Sequence, residues 1–471
     1  MRLISVIFTV ATLLTATNSA AATQRNMSNA RLETAVDYAL MESHAVEAHK
    51  IDINAQEGII TLTGSVNDLI SYDKAVEVAE AVKGVRSVVN ELEVQPAVRP
   101  DAELRQDIAA ALRADPTADA YDVDISVSNG QVTLKGEVGS WQERRLVRTI
   151  TRDVRGVTGV TNLIDIDYDA ARSDQEIEED IVSRLQHDVR VDEGLVSVEV
   201  KDGNAVLTGT IGSAEARRTA QSLAWVNGVE DVDVSGLTVQ WWARDEMIRK
   251  DAPQLGNAGV EAAVKDAFKY DPDVHSGAVS VDAKDGIVTL TGSVEHLRAK
   301  RAAETNALNT VGVLRVRNQI DVRPGIARED AKIETAVEQA IERDPKLHRY
   351  DIYASVVNGK AYLSGSVPYE YAKWQTARIV SGIRGVTALE NNLTVKDTEL
   401  RADWELLADI QHELRWSPNV EASEVAVNVE DGVAKLTGTV DTWNERSAAE
   451  ENAYDGGAHH VRNQLELESW Q

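Results

Sequence analysis

Thr61-Leu62-Thr63-Gly64-Ser65-Val66 recurs unchanged at 289–294, and near copies at 133–138, 206–211, 362–367 and 435–440 keep its leucine and its glycine. Six copies of one strand imply six copies of one unit. Side chains alternate along a strand, so Leu62, Gly64 and Val66 are expected to face a core while Thr61, Thr63 and Ser65 face water. The strand glycines Gly64, Gly136, Gly209, Gly292, Gly365 and Gly438 stand 72, 73, 83, 73 and 73 residues apart. The single long step places extra chain at 240–257, so the array reads as two groups of three joined by a connector. Periods of this length exceed a solenoid repeat and indicate tandem small domains.

Working outward from the strand, a second glycine lies six residues earlier in every copy, and at Asn129-Gly130, Asp202-Gly203, Asp285-Gly286, Asn358-Gly359 and Asp431-Gly432 it follows Asn or Asp. That is the chemistry of a tight hairpin turn. The strand before the turn alternates, as in Val123, Ile125 and Val127 or Val425, Val427 and Val429, which marks one buried face. Upstream the period becomes helical, with Val260, Ala263, Val264, Ala267 and Phe268 in one copy and Ile333, Ala336, Val337, Ala340 and Ile341 in the next. Pro116, Pro272, Pro345 and Pro418, each twenty residues before its strand glycine, stop that helix because proline disfavours helical geometry in the residue before it. Downstream a second helix of about fifteen residues should run to Gly84, Gly156, Gly228, Gly312, Gly385 and Gly457, each a candidate C-cap. A last strand carries a recurrent asparagine at Asn90, Asn162, Asn318, Asn391 and Asn463, expected to bond to nearby backbone. The unit is therefore helix, hairpin, helix, strand.

The pattern Leu-Thr-Gly-x-Val, a helix, then Gly-Val-x-x-Val-x-Asn-x-Leu resembles the BON domain, a small module of bacterial periplasmic osmotic-stress and nodulation proteins. The resemblance covers about residues 31–468. It implies an α+β chain of six tandem αββαβ domains, each a three-stranded mixed sheet with two helices on one face. The expected divisions are 30–97, 102–169, 173–239, a connector at 240–257, 258–324, 329–396 and 401–469. The family is generally non-enzymatic, and the resemblance implies binding of envelope phospholipid or of periplasmic and outer-membrane proteins, in envelope maintenance or osmotic stress. Unit 3 departs from the pattern, with Val234 in the asparagine position and an extra residue near Gly236. Unit 1 lacks the proline, and unit 6 has Gly457-Ala458-His459-His460 for Gly-Val.

Composition narrows the function classes. The chain has 471 residues, no cysteine and only two phenylalanines, so its cores must be mainly Val, Ile, Leu and Ala, and disulfides, thiolate nucleophiles and Cys-based zinc sites are excluded. Arg2, an apolar run over 3–14 broken by Ser5, Thr9 and Thr12, and Ser19-Ala20-Ala21-Ala22 spell a secretory signal peptide at 1–22. That run is too short to span a bilayer, and the expected location is the periplasm. A net charge of −28 opposes a nucleic-acid partner and favours a solvated surface.

No catalytic or metal-binding set emerges, and no cofactor is expected. His44 and His49 are five apart, against the four-residue step of a helical zinc pair. His459-His460 reads as a surface loop. Asp165, Asp167 and Asp169 alternate on the solvent side of a strand end, without the loop geometry that calcium needs. Trp141 and Trp443 share one position, five residues after their strand glycines, where a staple at the start of the second helix and an exposed lipid or partner contact are both open readings. Trp241-Trp242 in the connector, with Arg244, Arg249 and Lys250 nearby, is either a contact for anionic lipid or a plug between the halves. Trp141, Trp241, Trp242 and Trp443 are thus the candidate contact residues for peripheral membrane or partner binding. A periplasmic chaperone or holdase for exported proteins is the alternative function. Stacking of neighbouring units is expected within each group of three, since a domain near 60 residues buries only about 60% of its unfolded surface.

Overall fold

A computed structural model describes residues 27–168, 171–191, 195–242, 255–396 and 401–468. The leader expected at 1–22 and most of the connector lie outside the described residues. Unit 1 shows the pattern: helix α1 (Asn29–Glu42), strands β1 (Ile51–Gln56) and β2 (Ile59–Val66), helix α2 (Leu69–Glu80) and strand β3 (Ser87–Val94). β2 is central, antiparallel to β1 and parallel to β3, and this mixed order returns in every unit, with the last strand of unit 5 split into Ala388–Asn391 and Thr394–Val395, both parallel to its central strand. Two helices against one face of such a sheet, six times over, is the α+β architecture read from the sequence.

Each core follows the two periodicities. In unit 1, Leu32, Val36 and Leu40 of α1 and Ala75 and Ala79 of α2 pack on Ile60, Leu62 and Val66 of β2. Full burial of each Leu, Val or Ile stabilises the fold by about 1.5–3 kcal/mol relative to exposure. The hairpin turns have positive φ at both central residues, 52° and 78° at Asn129-Gly130, the type I′ geometry whose twist matches that of the flanking strands. The prolines stop the first helix as expected: α3 (Asp101–Ala114) ends one residue before Asp115-Pro116.

Three expectations need correction. Gly64 does not face the core. Its φ is 113°, it is exposed, and a Cβ there would lie 2.1 Å from the Lys50 carbonyl oxygen. Equivalent clashes of 1.9–2.3 Å against backbone carbonyls meet the other five strand glycines. Close approach does demand the glycine, but the neighbour is the chain entering β1 rather than a helix. The second helix is also shorter than expected: α2 has 12 residues and Gly84, at φ 98°, lies four beyond it, closing a separate turn in which Val85 N–H donates to Val82 O at 3.1 Å. Finally, His460 is no loop residue; it opens the last strand of unit 6 (His460–Leu467), and both His459 and His460 are exposed.

The asparagines are structural clamps. Asn90 Nδ2 donates to Tyr72 O on α2 at 3.2 Å while its Oδ1 accepts from Leu92 N–H at 3.1 Å, and Asn162, Asn318, Asn391 and Asn463 repeat both contacts. In unit 3, where Val234 replaces the asparagine, the last strand (Asp231–Val239) slips in register between Val206 and Thr208. The extra residue read near Gly236 is thus absorbed by a bulge.

The remaining helices are α4 (Trp141–Arg152), α5 (Asp174–His187), α6 (Ala214–Ala224), α7 (Asn257–Lys269), α8 (Leu297–Leu308), α9 (Asp330–Arg343), α10 (Glu370–Ser381), α11 (Asp403–Trp416) and α12 (Trp443–Asp455). The second helix of each unit takes part in joining the units. In the first group α2, α4 and α6 close a ring. Arg152 pairs with Asp73 at 2.6 Å, Gln142 Nε2 donates to Trp225 O at 2.6 Å, and Arg218 reaches Glu80 at 3.4 Å. In the second group the same helices meet through Arg301 with Ala377 O at 3.4 Å and through Trp374 with Tyr454.

The two groups then pack against each other in reversed order, unit 1 on unit 6, 2 on 5 and 3 on 4. Backbone hydrogen bonds mark each pairing: Lys83 N–H to Trp416 O at 2.7 Å, Arg155 N–H to Arg343 O at 2.8 Å with Arg384 N–H to Ala114 O at 2.9 Å in return, and Val311 N–H to His187 O at 2.8 Å. Each joins the residue before a post-helix glycine to the end of a first helix, so the pairings approximate two-fold symmetry. Ion pairs cross between the groups as well. Arg298 on α8 bonds Asp273 at 2.7 Å in its own unit and Asp115 at 3.1 Å in unit 2; burial disfavours its charge, and the two carboxylates outweigh that. Lys346 meets Asp68 at 3.1 Å.

Candidate functional site: a carboxyl-rich cavity between units 1, 5 and 6

The interface of units 1, 5 and 6 does not close. It leaves a cavity of about 580 Å³ lined by α1, α2, α10, α11 and α12, with Glu215 and Arg218 on α6 of unit 3 completing the wall, within the size range of small-molecule sites. Its walls are aromatic. Trp374 and Tyr454 meet edge to face with ring centroids 5.2 Å apart, and Tyr38, His412 and Trp416 form a second cluster with spacings of 4.3 and 6.2 Å.

Into this space come carboxyl groups short of cationic partners. Glu413 on α11 stands on the stripe that carries Leu406, Ile410 and Leu414 into the core; burial pushes its carboxyl up to about 8, with Asp455 and Glu42 adding to the effect. Asp455 ends α12, enclosed by protein with some surface open to the cavity. Burial pushes it up to about 7, opposed by Lys74 and reinforced by Glu451 and Glu42. Loss of solvent also raises half-buried Glu42 and, at the exposed rim of the cavity, Glu451 from their ordinary values, opposed by Arg401 and by Lys74 respectively. The Tyr38 hydroxyl, Glu413 Oε1 and Asn452 Nδ2 line the cavity without a hydrogen-bond partner. Such atoms cost about 1–3 kcal/mol each when buried unpaired, so the site holds unmet bonding capacity. Among the described residues no three His, Asp or Glu side chains converge closely enough to hold a metal ion.

The tryptophans selected from the sequence lie elsewhere. Trp141 stacks on Trp225 of unit 3, ring centroids 5.1 Å apart and planes within 6°, with the Arg145 guanidinium 5.4 Å from its ring. Its partner is therefore in the neighbouring unit rather than a staple within its own. Trp443 lies under Arg446 at 4.4 Å, its indole N–H buried without an acceptor. Trp241 has Lys83 of unit 1 at 5.1 Å from its ring, and Trp242 beside it is half-buried. The four are not brought together. Arg244, Arg249 and Lys250 lie outside the described residues, as does Asp169; Asp165 and Asp167 are exposed.

Sequence reasoning missed Glu413, Asp455, Glu451, Tyr38 and Trp374. A signal for one of them was present in the register. The position of Glu413 is alanine in four units, Ala39, Ala111, Ala267 and Ala340, whereas that of Asp455 varies, with Ala81, Asp153, Val226, Asn309 and Gly382 in units 1 to 5. An acid on an otherwise apolar helix face marks a site as plainly as an invariant residue does.

The BON domain description matches residues 28–96, 100–168, 173–240, 257–324, 329–397 and 402–469. The chain belongs to the BON-domain family. This BON array is 28% identical over 143 residues to Osmotically-inducible protein Y of Escherichia coli K12, covering 29% of the array and 71% of that protein. It is also 28% identical over 131 residues to the Outer membrane lipoprotein DolP of Haemophilus influenzae, covering 27% and 68% respectively. Among solved structures it matches the C-terminal domain of CdsD, the structural protein of the Chlamydia trachomatis type III secretion system, at 18% identity and a TM-score of 0.13, over 45% of the array and 98% of that chain. No helix among the described residues is long and apolar enough to cross a membrane.

Proposed function

We propose that this BON array is an exported, non-enzymatic binding protein of the periplasm that acts in envelope maintenance or osmotic stress, with envelope phospholipid or envelope proteins as its partners. The observation that carries the reading is where the repeated residues go. Strand glycines, asparagines and Asp-Pro turns are all consumed in folding and in joining the units, so recognition is left to residues that differ between copies. The two relatives, one osmotically inducible and one an outer-membrane lipoprotein by name, support the envelope setting, and the signal-peptide pattern at 1–22 supports export.

Lipid contact falls to aromatic rings beside cations, a chemistry suited to headgroups at a membrane interface. Trp241 with Lys83 and its neighbour Trp242, and Trp443 with Arg446, are those contacts here, whereas Trp141 serves the joint between units 2 and 3. Trp404 on α11, 71% exposed, is a further candidate. Co-flotation with vesicles of phosphatidylethanolamine, with and without phosphatidylglycerol, tests the proposal. Binding to either composition that drops in a Trp241→Ala/Trp242→Ala variant supports it. Absence of binding to both, together with strong suppression of aggregation of an unfolded exported protein, transfers the function to a holdase.

A further inference from the structure

We propose that the cavity between units 1, 5 and 6 binds a small organic cation bearing an ammonium group, of the quaternary-ammonium or polyamine type. The proposal is independent of lipid contact at the outer surface.

Three separate observations converge on that chemistry. The first is the excess of acid. Of the cations at the cavity, Lys74 lies 3.5 Å from Glu77, Arg218 serves Glu77 and Glu80, and Arg378 is held by Asp153 at 2.8 Å. The side-chain carboxyls of Asp455 and Glu413 make no hydrogen bond or ion pair among the described residues. The second is the set of unmet polar atoms, Glu413 Oε1, Tyr38 Oη and Asn452 Nδ2. The third is the aromatic wall, since faces of Trp and Tyr attract a cation through the ring quadrupole and form the cages that hold quaternary ammonium groups.

Other ligands fit less well. A phosphate or carboxylate would meet Glu413, Glu451 and Asp455 directly, and the carboxylates do not converge as a metal site requires. An ammonium ion supplies the missing positive charge and can place apolar carbon against Trp374, Tyr454 and Trp416. Its entry also displaces protons: carboxyl groups held partly protonated near neutral pH ionise beside the bound cation, and the protons pass to the buffer. Groups facing Asp455 are Lys74 on α2, Glu42 at the end of α1, Glu413 on α11 and Glu451 on α12; those facing Glu413 are Asp455, Glu42 and Tyr38 on α1.

Calorimetric titration of the full chain with choline and with spermidine tests this, run in two buffers of different ionisation enthalpy. The expected result is saturable one-site binding of at least one probe, proton release, and affinity at least tenfold higher at pH 8 than at pH 5. Asp455→Asn/Glu413→Gln should lower affinity at least tenfold, and Trp374→Ala should lower it without altering circular dichroism. Because the chain as a whole is acidic, Glu91→Gln/Glu93→Gln on exposed β3 serves as control and should bind as the parent does. A titration with phosphatidylethanolamine and phosphatidylcholine vesicles separates a free ligand from a headgroup: competition between vesicles and choline at the cavity assigns the cation to a lipid, and its absence to a soluble amine. No saturable binding of either probe at millimolar concentration, or binding that the control weakens as much as the cavity variant, would overturn the proposal.

Discussion

The joint between units 2 and 3 and the joint between units 5 and 6 are built from the same helix positions and reach opposite outcomes. In the first, Trp141 at the start of α4 stacks on Trp225 just beyond α6, and Val226 beside it is buried. In the second, the position of Trp141 is Glu370, the tryptophan has moved four residues along the helix to Trp374, and Asp455 stands where unit 3 has Val226. Parallel stacking seals the first joint. An edge-to-face contact at 87° with a carboxylate behind it leaves the second open. A repeat that fixes the backbone thus leaves each joint free to be packed or hollow, and a shift of one helical turn in one large side chain separates the two.

The most severe way to break this contrast is to write the open joint into the closed one. Val226→Asp places an unpaired carboxylate among apolar neighbours and should cost about 3–5 kcal/mol, read as a fall in the urea midpoint; a loss below 1 kcal/mol would mean that the sealed joint already admits water. Trp225→Ala removes the stacking partner of Trp141 and should cost about 2–4 kcal/mol by the same measurement.

The open joint should answer with the opposite sign. Burial raises the folded-state pKa of Glu413 to about 8 and of Asp455 to about 7, so the folded protein holds more protons than the unfolded chain between about pH 4 and pH 8. These groups therefore make stability fall as pH rises across that window. Glu413→Gln should flatten the fall and raise stability at pH 8 by about 1–3 kcal/mol; a variant with the same pH profile as the parent would show that Glu413 is solvated in the folded state. The smallest effect is expected at the rim of the sealed joint, where Arg145→Ala removes an exposed bond to Ser222 and a cation over Trp141 and should cost about 0.5–1 kcal/mol.

The register of Gly64, Asn90 and Pro116 and their counterparts was sufficient to read the unit, its hairpin and its helices, because these residues answer to backbone geometry that any copy must satisfy. Even so, the physical cause of one of them was misread. Alternation alone placed Gly64 on the core face, whereas its positive φ and the Lys50 carbonyl decide the matter, and no periodicity reports a φ angle. The candidate site was less legible. Tryptophans drew notice by rarity, but Trp141 turned out to hold two units together. Glu413 escaped notice because it is unremarkable in its own helix and unusual only beside its alanine counterparts, and Asp455 because its position varies between copies and holds another acid, Asp153, in unit 2.

What the sequence determined alone is the unit and its six-fold repetition, since strand alternation, helical period and turn glycines are all local along the chain. What only the tertiary structure decided is how the helices of one unit meet those of another: the closed ring of units 1, 2 and 3, the reversed pairing of 1 with 6, 2 with 5 and 3 with 4, and the cavity left where the fit is incomplete. Those contacts join side chains from distant parts of the chain, as between Lys346 and Ser71, 275 residues apart, and between Tyr38 and His412 near its two ends. Their geometry depends on side-chain volume and charge at facing surfaces, which no stretch of sequence contains by itself.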